Sequence, residues 1–297
     1  MVPVPAGAVE DGIDPHRNHD HHGHGADGHE HGHGHGHGGH GLGTRAHGPA
    51  AAPSPPGSEA VHRTDSPADV VALEIDVLAR NDTLAARLRD QLRATGTVAL
   101  NLMSSPGSGK TTLLERTLRD LGGALPCAVL EGDQETLLDA ERIAATGARV
   151  VQVNTGAGCH LDADMTARGL RELDPSPGSV VFVENVGNLV CPALFDLGET
   201  ARVVVISVTE GTDKPLKYPH MFCTADLVLI NKIDLLPYVD FDVEACSGYV
   251  RRAAPGAEIL QLSATRGDGL DGWYAWLRAL RSPESVARLT GCLRPGS

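Results

Sequence analysis

From about residue 97 to residue 280, short continuous runs of aliphatic and β-branched residues alternate with longer stretches in which apolar side chains recur at helical spacing. The continuous runs, at 97–103, 128–131, 149–153, 180–184, 203–208, 227–230 and 258–262, predict strands. Between them, the spacing of Leu114, Leu118 and Leu121 predicts a helix ending at Leu121, and similar patterns predict helices near 135–145, 162–173, 243–254 and 270–280. Strands that are apolar throughout, and not at every second position, are buried on both faces. With a helix between most of them, they predict an α/β fold, a mostly parallel sheet flanked by helices. Ligands then gather at the carboxyl ends of the strands. Upstream, 66–78 and the stretch opened by Asn81-Asp82, with Leu84, Leu88 and Leu92 on one face, predict two paired helices.

The first 64 residues break this pattern. Thirteen of the fifteen histidines lie between His16 and His62, amid Gly, Ala, Pro and Ser. So few large apolar residues cannot offset the entropy of ordering a chain, so 1–64 is expected to be a disordered His-rich tail. The division that follows is a tail over 1–64, N-terminal helices over 65–95, an α/β domain over 96–282 and a C-terminal tail over 283–297. The alternating histidines His29, His31, His33, His35, His37 and His40 can wrap a divalent ion. Asp20, Asp27 and Glu30 interrupt the tail's histidines, unlike a compact purification tag. A net charge of −13 opposes nonspecific attraction to nucleic acid or an anionic membrane. No apolar run reaches membrane-spanning length, the start lacks a signal-peptide pattern, and six scattered cysteines suit a reduced, cytoplasmic setting.

Candidate chemistry falls at the ends of the expected strands. Ser104-Ser105-Pro106-Gly107-Ser108-Gly109-Lys110-Thr111-Thr112 lies between the first strand and its helix, where a phosphate-binding loop belongs. Gly107 and Gly109 let backbone N–H groups turn toward phosphate oxygens, and the helix N-terminus adds partial positive charge. Gly107, Ser108, Gly109, Lys110, Thr111 and Thr112 form the expected cradle, with Lys110 reaching the β- and γ-phosphates and Thr111 holding Mg²⁺. The general pattern has Gly where this chain has Ser104. Asp133 and Glu184, each at a strand end, are the candidate acids of the Mg²⁺ shell and, with Lys110, the candidate catalytic residues. Asn185-Val186-Gly187 is the segment expected to sense the γ-phosphate. No residue stands out as the one that positions the attacking water, which predicts slow intrinsic turnover.

Asn231-Lys232-Ile233-Asp234 follows the sixth strand. A carboxylate at Asp234 can accept from the ring N–H and amine of guanine, donors that adenine lacks there. Ser263 and Ala264, closing the next strand, are expected to back the guanine carbonyl with backbone N–H groups. GTP is therefore the expected nucleotide, against the alternative of an ATP-dependent scaffold.

Cys159-His160 precedes a predicted helix, and Cys191 lies seven residues beyond Glu184. Two thiolates and one imidazole suit Zn²⁺ or Ni²⁺ and leave a position open for exchange, and a nearby helix N-terminus favours the thiolate. The plain alternative is small loop or core residues.

These segments, with Glu131-Gly132-Asp133-Gln134, Glu184-Asn185-Val186-Gly187-Asn188, Cys191-Pro192 and the run from Thr209 to Pro219, resemble the hydrogenase nickel-incorporation GTPases, the HypB family within the SIMIBI class of P-loop GTPases. The resemblance covers about residues 73–280. It implies a GTP hydrolase that delivers Ni²⁺ during [NiFe]-hydrogenase maturation, dimerises with GTP, and places Cys159, His160 and Cys191 at the subunit interface, where Zn²⁺ can also bind. It implies as partners a small hydrogenase nickel chaperone and the hydrogenase large-subunit precursor. Ser104 agrees with the family's own loop. Some members begin with a Cys-x-x-Cys-Gly-Cys nickel motif; this chain begins Met1-Val2-Pro3, which leaves the His-rich tail to store or buffer nickel. Two further alternatives stand: a metal-storage protein with an incidental nucleotide site, and a urease-type accessory GTPase. The latter carries Cys-Pro-His where this chain has Cys191-Pro192-Ala193.

Overall fold

A computed structural model describes residues 67–133, 138–156 and 158–281, with side chains from residue 75 onward. The predicted tails over 1–64 and 283–297, the six tail histidines, and Cys292 lie outside the described residues, as does the expected helix start near residue 135.

The seven predicted strands form one sheet: β1 (Val98–Ser104), β2 (Cys127–Asp133), β3 (Arg149–Asn154), β4 (Val180–Glu184), β5 (Ala201–Ser207), β6 (Leu227–Asn231) and β7 (Glu258–Gln261). Their order is β3-β2-β4-β1-β5-β6-β7, and every neighbouring pair is parallel. The central strands β1, β4, β5 and β6 are buried along their whole length, which is why their sequences show no polar alternation. Crossover helices cover both faces: α2 (Lys110–Leu121), α3 (Leu138–Ala144), α4 (Ala163–Leu173), α8 (Val243–Ala253) and α9 (Leu270–Ala279). Successive residues of β4 divide between the faces. Val180 and Phe182 join Leu113, Leu114 and Trp273, whereas Val181 and Val183 join Leu88, Leu130 and Leu170. Trp273 is fully buried, and its indole N–H donates to Thr117 Oγ1 at 2.9 Å.

Short elements that periodicity did not predict line the carboxyl edge: the single turns α5 (Cys191–Leu194), α6 (Lys214–Lys217) and α7 (Pro219–Cys223), and a 3-10 turn at Ile233–Tyr238. Each is too brief to show a repeat of 3.6 residues.

The two helices expected upstream are one, α1 (Pro67–Ala94), of 28 residues. Asn81 and Asp82 look like a helix start in sequence, but Asn81 is buried and serves other segments. Its Oδ1 accepts from Ala163 N at 2.9 Å and its Nδ2 donates to Asp196 O at 2.8 Å. With neither Gly nor Pro between Leu78 and Asp82, nothing interrupts the helix. Among the described residues, no helix is long and apolar enough to cross a membrane.

Candidate nucleotide site and metal centre

The loop between β1 and α2 ends at Gly109, whose φ of 97° is left-handed. A Cβ there would lie 2.6 Å from Asn231 Nδ2, so only glycine fits both the backbone and the neighbour. No side chain caps α2 and no acid occupies its first turn, which leaves its N-terminal N–H groups and their partial charge open to an anion. The loop is braced from outside: Asn231 Nδ2 donates to Ser108 O at 2.9 Å and Lys232 Nζ to Gly107 O at 2.7 Å. On its other flank Ser105 Oγ donates to Glu210 Oε2 at 2.5 Å and accepts from Lys214 Nζ at 2.7 Å, while Lys214 also pairs with Glu210. Glu210 and Lys214 belong to the long run quoted for the family resemblance, which carried no role in sequence.

Lys110 is buried and donates to Ser104 Oγ at 2.9 Å. The serine that departs from the general loop pattern thus accepts a hydrogen bond from the lysine. Burial lowers the pKa of Lys110, opposed by the nearby Glu184, Asp139, Glu131 and Glu210 carboxylates. Thr111 Oγ1 donates to Glu184 Oε1 at 2.7 Å, while Glu184 Oε2 is buried without a partner. Asp133 lines the same cavity of about 510 Å³, with Lys110, Thr111, Glu184 and Gly187. The structure therefore brings together the hydroxyl and both carboxylates expected around Mg²⁺; oxygen donors with one orphaned carboxylate oxygen suit that hard cation. Burial raises the carboxyl pKa of Glu184, against the opposing effects of Lys110 and Thr111.

Two residues of this cavity's surroundings were not foreseen. Glu131, the partner of Glu184 in strand register, is 3% exposed with Oε2 unpartnered, and burial followed by its acidic neighbours pushes it up to about 8. An acid in an otherwise apolar strand was the available signal. Arg142 of α3 lines the cavity and donates to Thr112 Oγ1 at 3.2 Å and Glu115 Oε2 at 2.7 Å. It stood in sequence as one more exposed helical charge.

At the base side, Asn231 is a brace. Its Oδ1 accepts from Lys232 N at 2.7 Å and Ala264 N at 3.1 Å. Ser263 Oγ donates to Asp234 Oδ1 at 2.6 Å and so orients the carboxylate. The Ser263 and Ala264 N–H groups, expected to face a guanine carbonyl, have partners within the turn. Ser263 N already donates to Asp268 O at 2.9 Å, and Ala264 N is engaged by Asn231.

Cys159, His160 and Cys191, 32 residues apart at their extremes by sequence, converge: one ligand atom from each lies within 4.8 Å of the others. Cys159 Sγ sits 3.7 Å from His160 Nδ1, and all three residues are half-buried. Two sulfurs and an imidazole at this spacing fit a borderline-soft divalent ion. His160 stacks on Phe195, with ring centroids 3.9 Å apart and planes at 22°. Burial lowers the pKa of His160, opposed by Asp162. The sequence-based expectation that a helix N-terminus favours thiolates meets a correction. Asp162 caps α4, accepting from Met165 N at 2.7 Å, and Cys191 is shifted upward, first by its hydrogen bond with Cys159 and then by burial. The segment after Cys191 is fixed by Arg202, buried against Glu199, which donates to the carbonyls of Ala193 and Phe195 at 3.3 Å.

A seven-stranded parallel sheet, an uncapped helix behind a Gly-Lys-Thr loop, and paired acids at the strand ends define a nucleotide-binding protein of P-loop NTPase type. Residues 98–261 match the family model described as CobW/HypB/UreG, nucleotide-binding domain. The chain is 51% identical over 249 residues to the hydrogenase maturation factor HypB of Azotobacter vinelandii, covering 80% of this chain and 82% of that one. With its Escherichia coli K12 counterpart it shares 57% over 212 residues, 71% of this chain and 73% of the other. The crystal structure of HypB from Archaeoglobus fulgidus superposes with a TM-score of 0.65 at 41% identity, covering 69% of this chain and all 100% of that one. HypB from Helicobacter pylori, solved in complex with nickel, gives 0.64 at 38%, covering 68% and 95%. The chain belongs to the hydrogenase maturation factor HypB family.

Proposed function

We propose that this chain is a cytoplasmic GTP hydrolase that hands Ni²⁺ to the large-subunit precursor of a [NiFe]-hydrogenase. The observation that carries this reading is the convergence of Cys159, His160 and Cys191 on loops beside the acidic segments of the nucleotide cavity. The half-buried ligands, three in number, leave room for an incoming ligand from an acceptor, which suits transfer better than permanent retention. Nickel is cargo here, and Zn²⁺ can occupy the same donors.

The nucleotide side follows from the placed residues. The N-terminus of α2 and the Gly107–Gly109 backbone hold phosphate oxygens, and Lys110 leaves Ser104 to neutralise the transferring phosphoryl group. Mg²⁺, held by Thr111, Asp133 and Glu184, supplies charge stabilisation on the phosphates when bound. Asp234, oriented by Ser263, selects guanine. The same reading takes GTP to favour a homodimer, the small nickel chaperone as a partner, and the tail of 1–64 as a nickel store. The Cys191-Pro192-Ala193 sequence speaks against a urease-type role.

Asp234→Asn tests the guanine assignment. The variant is expected to lose GTP affinity and accept xanthosine triphosphate, changing the preference by about 10³-fold or more. Unchanged preference would favour an ATP-type scaffold. In cells, removal of 1–64 is expected to leave hydrogenase maturation intact when nickel is plentiful; loss of maturation would favour storage as the main role.

A further inference from the structure

Leu161, the residue directly after His160, is gripped by both acidic segments of the nucleotide site. Its backbone N–H donates to Asn185 Oδ1 at 3.1 Å, and Asn185 directly follows Glu184. Its side chain is fully buried over Gly132, the residue before Asp133; a Cβ on that glycine would lie 2.7 Å from Leu161 Cγ. Asn185 itself is 1% exposed and tightly held. Its Oδ1 also accepts from Val186 N at 3.0 Å, its Nδ2 donates to Asn101 Oδ1 at 3.1 Å, and its own N–H donates to Leu102 O at 3.1 Å on the strand leading into the phosphate loop. Val186 and Gly187 line the nucleotide cavity. Two residues beyond Leu161, a second buried asparagine takes hold: Asn81 Oδ1 accepts from Ala163 N, while Asn81 Nδ2 donates to Asp196 O, next to the Phe195 ring that stacks on His160. The His160 segment is thus held between an asparagine adjoining Val186 and Gly187 of the nucleotide cavity and one on α1.

We propose that Asn185 is the positioning residue that transmits nucleotide state to the metal centre, through the Leu161 N–H, and that Asn81 is the fixed end against which the His160 segment moves. This rests on the delivery reading above. When Val186 and Gly187 shift to meet a γ-phosphate, Asn185 carries Leu161 with them and changes where His160 sits relative to Cys159 and Cys191. Asn81 sets the geometry in both states equally. The roles therefore separate: loss of Asn185 removes coupling, whereas loss of Asn81 lowers metal affinity without removing coupling.

The test uses the full chain with Mg²⁺ and either GDP or a nonhydrolysable GTP analogue. Ni²⁺ affinity is measured by competition with a chelator, read from thiolate-to-nickel charge-transfer absorption, to which imidazole-only binding in the tail does not contribute. The wild type is expected to show affinities that differ about 5-fold or more between the nucleotides. In Asn185→Ala that ratio is expected to fall to about one. Asn185→Asp keeps the acceptors for Leu161 and Val186, and a flipped Asn101 amide, whose Nδ2 is otherwise unpartnered, can donate to it; its ratio is expected to stay at the wild-type value. Asn81→Ala is expected to weaken nickel binding about 10-fold in both states with the ratio kept. A wild-type ratio that survives in Asn185→Ala, or vanishes in folded Asn185→Asp, overturns the assignment alone. A wild-type ratio of one overturns the delivery reading and the assignment with it.

Discussion

The nucleotide cavity and the metal centre stand at the same sheet edge but are built in opposite ways. Around the cavity, Ser108, Lys110, Thr111 and Glu184 are buried; Lys110 and Thr111 are paired inside the protein, while Ser108 Oγ and Glu184 Oε2 have no partner there. Lys110 and Thr111 project from the first turn of a 12-residue helix, and Glu184 from the end of a fully buried strand. At the metal centre all three ligands are half-buried, Cys191 opens a helix of only four residues, and exposed Val190 and Leu194 flank it. A site built from buried side chains on long elements holds a charged group in one geometry and stabilises its reaction. A partly open site with spare coordination lets cargo enter and leave. The contrast fits a molecule in which one site times and the other exchanges.

Substitutions that strike one site and spare the other test this contrast. The largest effect belongs to Lys110→Ala. With the only lysine of the phosphate loop removed, GTP turnover falls by about 10²–10³-fold, while the thiolate–nickel absorption of the GDP state remains. Steady-state phosphate release and a nickel titration check the pair. Next is Cys191→Ala, which leaves Cys159 and His160 as a two-ligand site. Nickel affinity at the centre falls by about 100-fold or more, and GTP affinity stays unchanged, as isothermal titration with each ligand reads out. Phe195→Ala removes the ring stacked on His160 and lets the imidazole turn. A loss of about 10-fold in nickel affinity is expected, and equal affinity in variant and wild type would mean that the centre is more rigid than its exposure implies. The smallest effect is on the nucleotide side. Ser104→Ala takes away the resting partner of Lys110, so GTP binding competes with one hydrogen bond fewer and tightens by about 2- to 10-fold.

Much of the fold was legible because buried parallel strands write themselves as unbroken apolar runs: all seven appear where 97–103 through 258–262 predict them. The single turns at Cys191, Lys214 and Pro219 left no period to read. The upstream helix was split in two because Asn81 has the residue type of a cap while its amide serves Ala163 and Asp196, partners 82 and 115 residues away. The same limit explains the site. Gly109, Lys110 and Thr111 act within one loop, so local sequence sufficed; the Cys159–His160–Cys191 convergence was suggested by strand ends and is realised by the fold. Glu131, Phe195 and Asn185 depend on which neighbour they face across the sheet, and no local pattern encodes that.

The central claim is that hydrolysis at the closed site drives exchange at the open one. It is tested most directly by loading the protein with Ni²⁺ at Cys159, His160 and Cys191, adding GTP and an acceptor chelator, and following the thiolate–nickel band and phosphate release in one experiment. The account predicts that the band decays with the rate of phosphate release and persists with a nonhydrolysable analogue. Decay at the same rate with the analogue would contradict it.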